Sequence, residues 1–331
     1  MNLLRRIKIL LATRKIIKNW LSAGIIYFLT NIGLTRLTNI EIICNDGSRS
    51  LLSMSTYSRL VNDYYDGHVV AYNCRNKTAT YLNRVEIPVE ELEESVVEQA
   101  IKHGWFYDLS CKCWYRENVR FKHLRSTILE VFNYGEYGQF DVRNKVVIDV
   151  GAYIGDSAIY FALKGAKKVI AIEPHPGAYA EMLININLNE LVNRIIPINA
   201  GLASRPGKIC PQDLVKNTTM IYYKSNMCGE GIPIITLAEV LRQYGDNDDM
   251  VLKMDCEGCE YDVILNDYDN INKFNEIYFE YHAHTVNKPV DVLLEKLSGD
   301  FTCSHVFIDN YYHLHNMSRE SLGIIKCERK K

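Results

Sequence analysis

The segment Lys145-Val-Val-Ile-Asp149-Val-Gly151-Ala-Tyr153-Ile-Gly155-Asp carries the clearest chemical signal in the chain. An apolar run ends in an acid, passes through two glycines four apart, and opens into a helical pattern. That order predicts a buried strand, a tight turn and a helix N-terminus. A turn with little side-chain bulk lets a ligand approach the backbone, and a helix N-terminus favours negative groups. A second apolar run, Lys168-Val-Ile-Ala-Ile172, ends in Glu173, about 20 residues beyond the turn, where an acid can accept hydrogen bonds from a ribose diol. Together these residues predict a nucleoside-bearing cofactor. The spacing is Gly-x-x-x-Gly, so the dinucleotide fingerprint Gly-x-Gly-x-x-Gly is not met.

The elements that must hold this turn are legible from residue 141 onward. Strands are expected at 145–150, 168–172, 195–199, 250–255 and 275–281, alternating with helices near 156–164, 177–190, 236–243 and 289–298. Alternation of this kind implies a mostly parallel sheet covered on both faces. Two further strands, 301–308 and 321–327, have no helix between them and predict a terminal antiparallel hairpin. Five alternating strands closed by a hairpin is the layout of a class I methyltransferase, a Rossmann-like α/β sheet.

Three parts are expected: a basic amphipathic helical segment over 1–36, a small β-rich cap over 37–140, and the Rossmann-like domain over 141–331. The cap is a smaller α+β extension that would supply part of a substrate cleft. It should hold a hairpin around Asn45-Asp-Gly-Ser48, short strands at 68–72 and 78–82, and a surface helix over 89–103. Trp105 to Tyr137 reads as aromatic and irregular.

The chain has 331 residues, 24% of them charged, with a net charge of −2, so no global basic excess argues for nucleic acid. Residues 1–36 nevertheless hold seven basic residues, Arg5 to Arg36, and no acid. The apolar run 23–30 falls short of the ~20 residues that span a bilayer. Leu3, Leu4, Ile7, Leu10 and Leu11 recur at helical spacing among basic residues, which suits a helix lying on an anionic membrane or one docked on the protein body. Ten cysteines include only two close pairs, Cys111-x-Cys113 and Cys256-x-x-Cys259. We read them as reduced, partly buried thiols of a cytoplasmic protein, peripheral to a membrane if the basic segment meets lipid, rather than as a zinc centre.

The chain resembles the FkbM family of S-adenosylmethionine-dependent methyltransferases. The matching pieces are Val147-Ile-Asp-Val-Gly-Ala-Tyr-Ile-Gly155, Ala171-Ile-Glu-Pro-His-Pro176, Asn185-Ile-Asn-Leu-Asn189, Ile198-Asn-Ala-Gly-Leu202, Ile235-Thr-Leu237, Leu252-Lys-Met-Asp-Cys-Glu-Gly-Cys-Glu260 and Ile277-Tyr-Phe-Glu-Tyr-His282. The Lys-x-Asp-x-Glu-Gly-x-Glu block is the most specific of them. Cysteines flank Gly258 where the family more often has Val and Ala. The resemblance covers about residues 135–285.

The resemblance implies S-adenosyl-L-methionine as cofactor. Its methionine end would lie over Gly151, Tyr153 and Gly155, its ammonium near Asp149, its ribose on Glu173, and its adenine against Pro174, His175 and the turn near Ala200. Strands four and five would end at the methyl group. Of the groups there, His282 is the best proton acceptor by its ordinary pKa, with Glu280 and Asp255 as further catalytic candidates. Glu257 and Glu260 are assigned to substrate, although an acid at the start of the following helix is equally a cap. No metal is required. The acceptor implied is a hydroxyl on a sugar, glycan, glycolipid or secondary metabolite, and the aromatic loop at Tyr311-Tyr-His313 would stack on a sugar. An RNA methyltransferase or a non-catalytic membrane-attached scaffold are the alternatives. Three nearby acids would repel phosphates, and no Asn/Asp-Pro-Pro-aromatic turn follows strand four, which counts against nucleic acid. The oligomeric state stays open.

Overall fold

The computed structural model describes residues 3–93, 96–210, 231–245, 249–308 and 318–331. The aromatic loop at 311–313 lies outside them. The chain divides into two compact units, Met1–Ser126 and Thr127–Lys331.

The first unit begins with helices Leu3–Thr13 and Trp20–Asn31. The hairpin Asn39–Ile43 with Arg49–Ser53 follows in antiparallel register, Ile40 opposite Leu52. Its turn is closed by the Asp46 carboxylate, which accepts from the Ser48 backbone at 3.0 Å. Helix Met54–Tyr65 is capped by Ser53, whose hydroxyl accepts from the Thr56 backbone at 3.0 Å. Strands Val69–Asn73, Thr78–Tyr81 and Glu86–Pro88 form one sheet. In place of one surface helix over 89–103, a 3₁₀ turn at Val89–Glu93 precedes a helix at Val97–Lys102, and Val89, Leu92, Val97 and Ala100 are buried. The aromatic stretch forms a second sheet of Phe106–Asp108, Cys113–Arg116 and Val119–Phe121, with Trp105 and Trp114 fully enclosed.

The second unit is built on β1 (Val146–Val150), β2 (Lys168–Ile172), β3 (Ile195–Ile198), β4 (Met250–Met254), β5 (Glu276–His282), β6 (Phe301–Val306) and β7 (Leu322–Arg329). Its helices include α1 (Asp156–Leu163), α2 (Pro176–Leu188), α3 (Leu237–Tyr244), α4 (Cys259–Asn266) and α5 (Asp291–Leu297). Among the described residues the sheet runs β3-β2-β1-β4-β5-β7-β6. β1 to β5 run parallel to one another, whereas β7 is antiparallel to both β5 and β6. This is the class I methyltransferase sheet. All five residues of β1 are buried, as a strand covered on both faces requires.

Chain order reverses between β1 and β4, and a crevice opens at the carboxyl ends of strands beside such a switch. The core beneath is a continuous apolar cluster through Ile148, Ile170, Leu252, Ile277 and Phe279. α3 starts in a capping box. Thr236 Oγ1 accepts from the Glu239 backbone at 3.3 Å, and Glu239 accepts from the Thr236 backbone at 2.8 Å.

The described cysteines are not free thiols. Disulfides join Cys44 to Cys74, Cys111 to Cys113, Cys256 to Cys259 and Cys303 to Cys327, and no described cysteine is unpaired. Sequence spacing shows only the two close pairs, since Cys303 meets Cys327 through a strand register and Cys44 meets Cys74 across a sequence separation of 30. Disulfides persist in oxidising surroundings, so the cytoplasmic expectation loses its argument from cysteine. No helix among the described residues is long and apolar enough to cross a membrane.

Candidate functional site

The glycine turn closes directly onto the loop after β4. Gly151 takes φ +74°, and a Cβ there would fall 1.7 Å from the Asp255 carbonyl oxygen. Asp255 in turn donates its backbone N–H to Val150 at 3.0 Å. Gly155 takes φ +86° and packs on Met182 of α2, where a Cβ would approach its Cγ to 2.9 Å. Both positions therefore combine a left-handed backbone with a close approach that any side chain would block.

Lys253 pins this junction and received no role from its sequence context. Its ammonium is buried between the Asp149 carboxylate at 2.9 Å and the Gly151 carbonyl at 2.8 Å. Burial would push the Lys253 ammonium down, but Asp149 and Asp255 outweigh that and hold it up. A lysine inside the apolar strand Met250-Val-Leu-Lys-Met254 was the available signal, because a buried cation demands a partner. Asp149, expected near the donor's ammonium, is fully enclosed. Its second oxygen accepts from the Ser157 hydroxyl at 2.7 Å, so both oxygens are engaged within the protein.

Glu173 sits at the tip of β2 beside the turn. One carboxylate oxygen accepts from the Tyr153 backbone at 2.8 Å and the other from the His175 backbone at 2.7 Å. Tyr153 itself is left-handed, with φ +44°. Burial pushes the Glu173 carboxyl up to about 7, against the two hydrogen bonds that lower it. Each of its oxygens keeps a further lone pair for a hydroxyl. Pro174 is half-buried, and its carbonyl accepts from Asn199 at 3.1 Å. His175 caps α2, its Nδ1 accepting from the Gly177 and Ala178 backbones. Ala200 is completely buried in the core cluster.

The second half of the site gathers at the ends of β4 and β5. His282 is 3% exposed. Its Nδ1 lies 3.2 Å from Glu260 Oε1, which also accepts from the His282 backbone at 2.9 Å. Nε2 faces Asp255 at 3.7 Å, Glu257 at 3.6 Å and Glu280 at 3.6 Å. Burial alone would push the imidazole down. The hydrogen bond and charge of Glu260, then the charges of Glu280 and Asp255, outweigh it and hold His282 up at about 10. At neutral pH it is an imidazolium without a lone pair for a proton.

Glu260, expected on the substrate, is fully enclosed, and its other oxygen accepts from the Gly258 backbone at 3.0 Å. It ties the start of α4 to the end of β5. Glu257 differs. It is left-handed at φ +57°, and its Oε2 is shielded from solvent yet accepts no hydrogen bond among the described residues. Burial pushes its carboxyl up, opposed by His282. Asp255 has the most open side chain of the group, 32% exposed.

A further acid, Glu136, is buried nearby and was invisible in the aromatic stretch of sequence. Burial and the charges of Glu280 and Asp255 push its carboxyl well above the usual range. Ligand atoms of Asp255, Glu280 and His282 lie within 4.8 Å of one another, the arrangement a cation would need. So do those of Cys256, Cys259 and Glu260, but there both sulfurs are spent in a disulfide.

Residues 149–302 match the Methyltransferase FkbM domain. Uncharacterized protein 158B of Sulfolobus islandicus rod-shaped virus 1 is 30% identical over 163 residues, 49% of this chain and 75% of that protein. Hexuronic acid methyltransferase AglP of Haloferax volcanii is 29% identical over 161 residues, 47% of this chain and 65% of that protein. Methyltransferase sdnD of Sordaria araneosa is 24% identical over 194 residues, 48% of this chain and 75% of that protein. The matched region contains the glycine turn, Glu173 and the whole β4–β5 cluster. With sheet order, turn and family match in agreement, the chain belongs to the FkbM methyltransferase family and is an enzyme that uses S-adenosyl-L-methionine as its methyl donor.

Proposed function

We propose that the protein methylates a hydroxyl oxygen on a sugar, glycan, glycolipid or other hydroxyl-bearing metabolite. The observation that carries this reading is the Glu257 oxygen. It is enclosed, 3.6 Å from a protonated imidazole, and accepts no hydrogen bond among the described residues. A buried acceptor without a donor is costly, and an alcohol O–H supplies that donor. Asp255, Glu257 and Glu280 also form a negative surface that disfavours phosphate-bearing acceptors. The sugar-acid specificity in AglP's name is consistent with a hydroxyl-rich acceptor.

The residues present fit the donor. The backbone closes tightly at Gly151 and Gly155, and Glu173 beside that turn keeps acceptor lone pairs suited to a ribose diol. The donor supplies a methyl group on a sulfonium, already activated for displacement. Gly151, Tyr153 and Gly155 would hold its methionine end, and Glu173, with the Pro174 backbone, its nucleoside. Asp149 would act through Lys253 by fixing the turn, and Ala200 by closing the core behind it.

Glu257 would hold the acceptor hydroxyl in line with the methyl group, and orientation of this kind is a large part of the rate. Asp255, the most open carboxylate, would take the hydroxyl proton as the new C–O bond forms and release it to solvent. His282, held by Glu260, would keep Asp255, Glu257 and Glu280 together without taking the proton itself.

Asp255→Asn tests the assignment with glycans and small alcohols as acceptors. Turnover should fall about 10²- to 10⁴-fold, the usual worth of a positioned base, with donor affinity unchanged by calorimetry. Full turnover by Asp255→Asn would sink the base role, and methylation of RNA in preference to every hydroxyl-bearing small molecule would sink the acceptor class.

A further inference from the structure

Nine of the twenty exposed large apolar side chains among the described residues fall between Leu4 and Leu37. They are ordered. On helix Leu3–Thr13, Leu4, Ile7 and Leu11 are exposed at i, i+3 and i+7, while Ile9 and Thr13 on the opposite side are buried. On helix Trp20–Asn31, Leu21, Ile25 and Phe28 are exposed at i, i+4 and i+7, while Ala23 is buried. The helices are in contact, since a Cβ on Gly24 would fall 2.2 Å from Leu10 Cδ1. Ile7 of the first stripe and Ile25 and Phe28 of the second line one cleft of about 580 Å³, so the two stripes border a common cleft.

The charge around that face is predominantly positive. Arg6, Lys8, Arg14, Lys15 and Lys18 are exposed, Arg5 pairs with Asp66, and residues 1–36 contain no acid. We propose that this helical pair is a docking surface for an anionic lipid bilayer, with the stripes at the headgroup boundary and the basic side chains on lipid phosphates. Helices of 11 and 12 residues are too short to cross a bilayer but suited to lie in its interface. A second copy of the chain fits less well, because a symmetric contact would set basic segment against basic segment. The proposal stands apart from the methyl-transfer reading and uses none of its residues.

The test is co-sedimentation of the full chain with vesicles of phosphatidylcholine alone or mixed with phosphatidylglycerol. Partitioning onto the mixed vesicles should be at least about tenfold stronger, and Lys8→Ala with Arg14→Ala should lower it by about 30-fold. Ile25→Glu with Phe28→Glu should release the protein from both vesicles, with circular dichroism checking that the helices persist. An independent readout uses the unaltered chain. Brominated acyl chains should quench Trp20, which begins the second helix, whereas Trp105 and Trp114 are enclosed. Equal partitioning onto both vesicles, no quenching, or a dimer that Ile25→Glu with Phe28→Glu converts to a monomer would each overturn the proposal.

Discussion

Replacing Lys253 by Met should destabilise the second unit by about 3–5 kcal/mol, because it strands a buried charge. Asp149 has no exposed surface, and without Lys253 at 2.9 Å its remaining partner is the Ser157 hydroxyl at 2.7 Å. Met matches the lysine stem in bulk, so a cavity adds little. The Val150 and Gly151 carbonyls lose a donor as well, but these losses overlap with the charge effect and are not summed. Asp149→Asn keeps an acceptor for Ser157 and removes the charge. Combined with Lys253→Met it should recover roughly 2 kcal/mol or more, the coupling expected of a buried pair.

The assay is urea denaturation with the disulfides intact, and the probe decides its value. Trp20, Trp105 and Trp114 all lie in the first unit, so fluorescence follows that unit and circular dichroism follows both. Lys253→Met should shift the circular dichroism transition and leave the fluorescence transition in place. A calorimetric titration should show weaker donor binding as the Gly151 turn loosens. A loss under about 1 kcal/mol, or no recovery in the double variant, would mean that water reaches the pair and that Lys253 does not pin the turn.

Glu173, raised to about 7, becomes an acceptor-only carboxylate as pH rises through that value. Donor affinity should therefore increase between about pH 6 and 8, and Glu173→Gln should flatten the profile while weakening binding at pH 8. His282 has the opposite consequence for stability. Its folded pKa of about 10 exceeds the ordinary 6.5, so its contribution is full below pH 6.5 and lost as pH rises through 10. Denaturation between pH 6.5 and 10 should show that decline, and His282→Gln should remove it. The Cys44–Cys74 bond, with a sequence separation of 30, closes a loop expected to contribute about 3–4 kcal/mol. Its double replacement by Ser should move the fluorescence transition to lower urea and leave donor binding unchanged.

Local pattern was enough for the frame of the second unit. Apolar runs ending at Asp149, Glu173 and Asp255 mark buried parallel strands, because a strand covered on both faces cannot alternate. Two glycines four apart mark the turn, because a left-handed backbone and a close approach admit little else. The terminal hairpin follows from two strands with no helix between them. The first unit was less legible, since its short strands around Trp105 and Trp114 pair through enclosed aromatic rings rather than through an alternating pattern.

What each acid does was decided by tertiary structure. Glu257 and Glu260 are three residues apart, yet one keeps an enclosed oxygen that accepts no hydrogen bond among the described residues and the other is sealed between Gly258 and His282. Glu257 and Gly258 are both left-handed at the start of α4, and the two side chains on either side of that turn meet different surroundings. His282 has the ordinary pKa of a base when read in sequence, and it becomes a fixed cation only where Glu260, Glu280 and Asp255 converge from different segments. Disulfide pairing belongs to the same class, because Cys303 meets Cys327 through the register of β6 on β7. Backbone conformation responds to neighbours in the chain, whereas charge state and bonding respond to neighbours in space. Composition and spacing therefore reach the fold and the cofactor, and only the packed molecule assigns the chemistry.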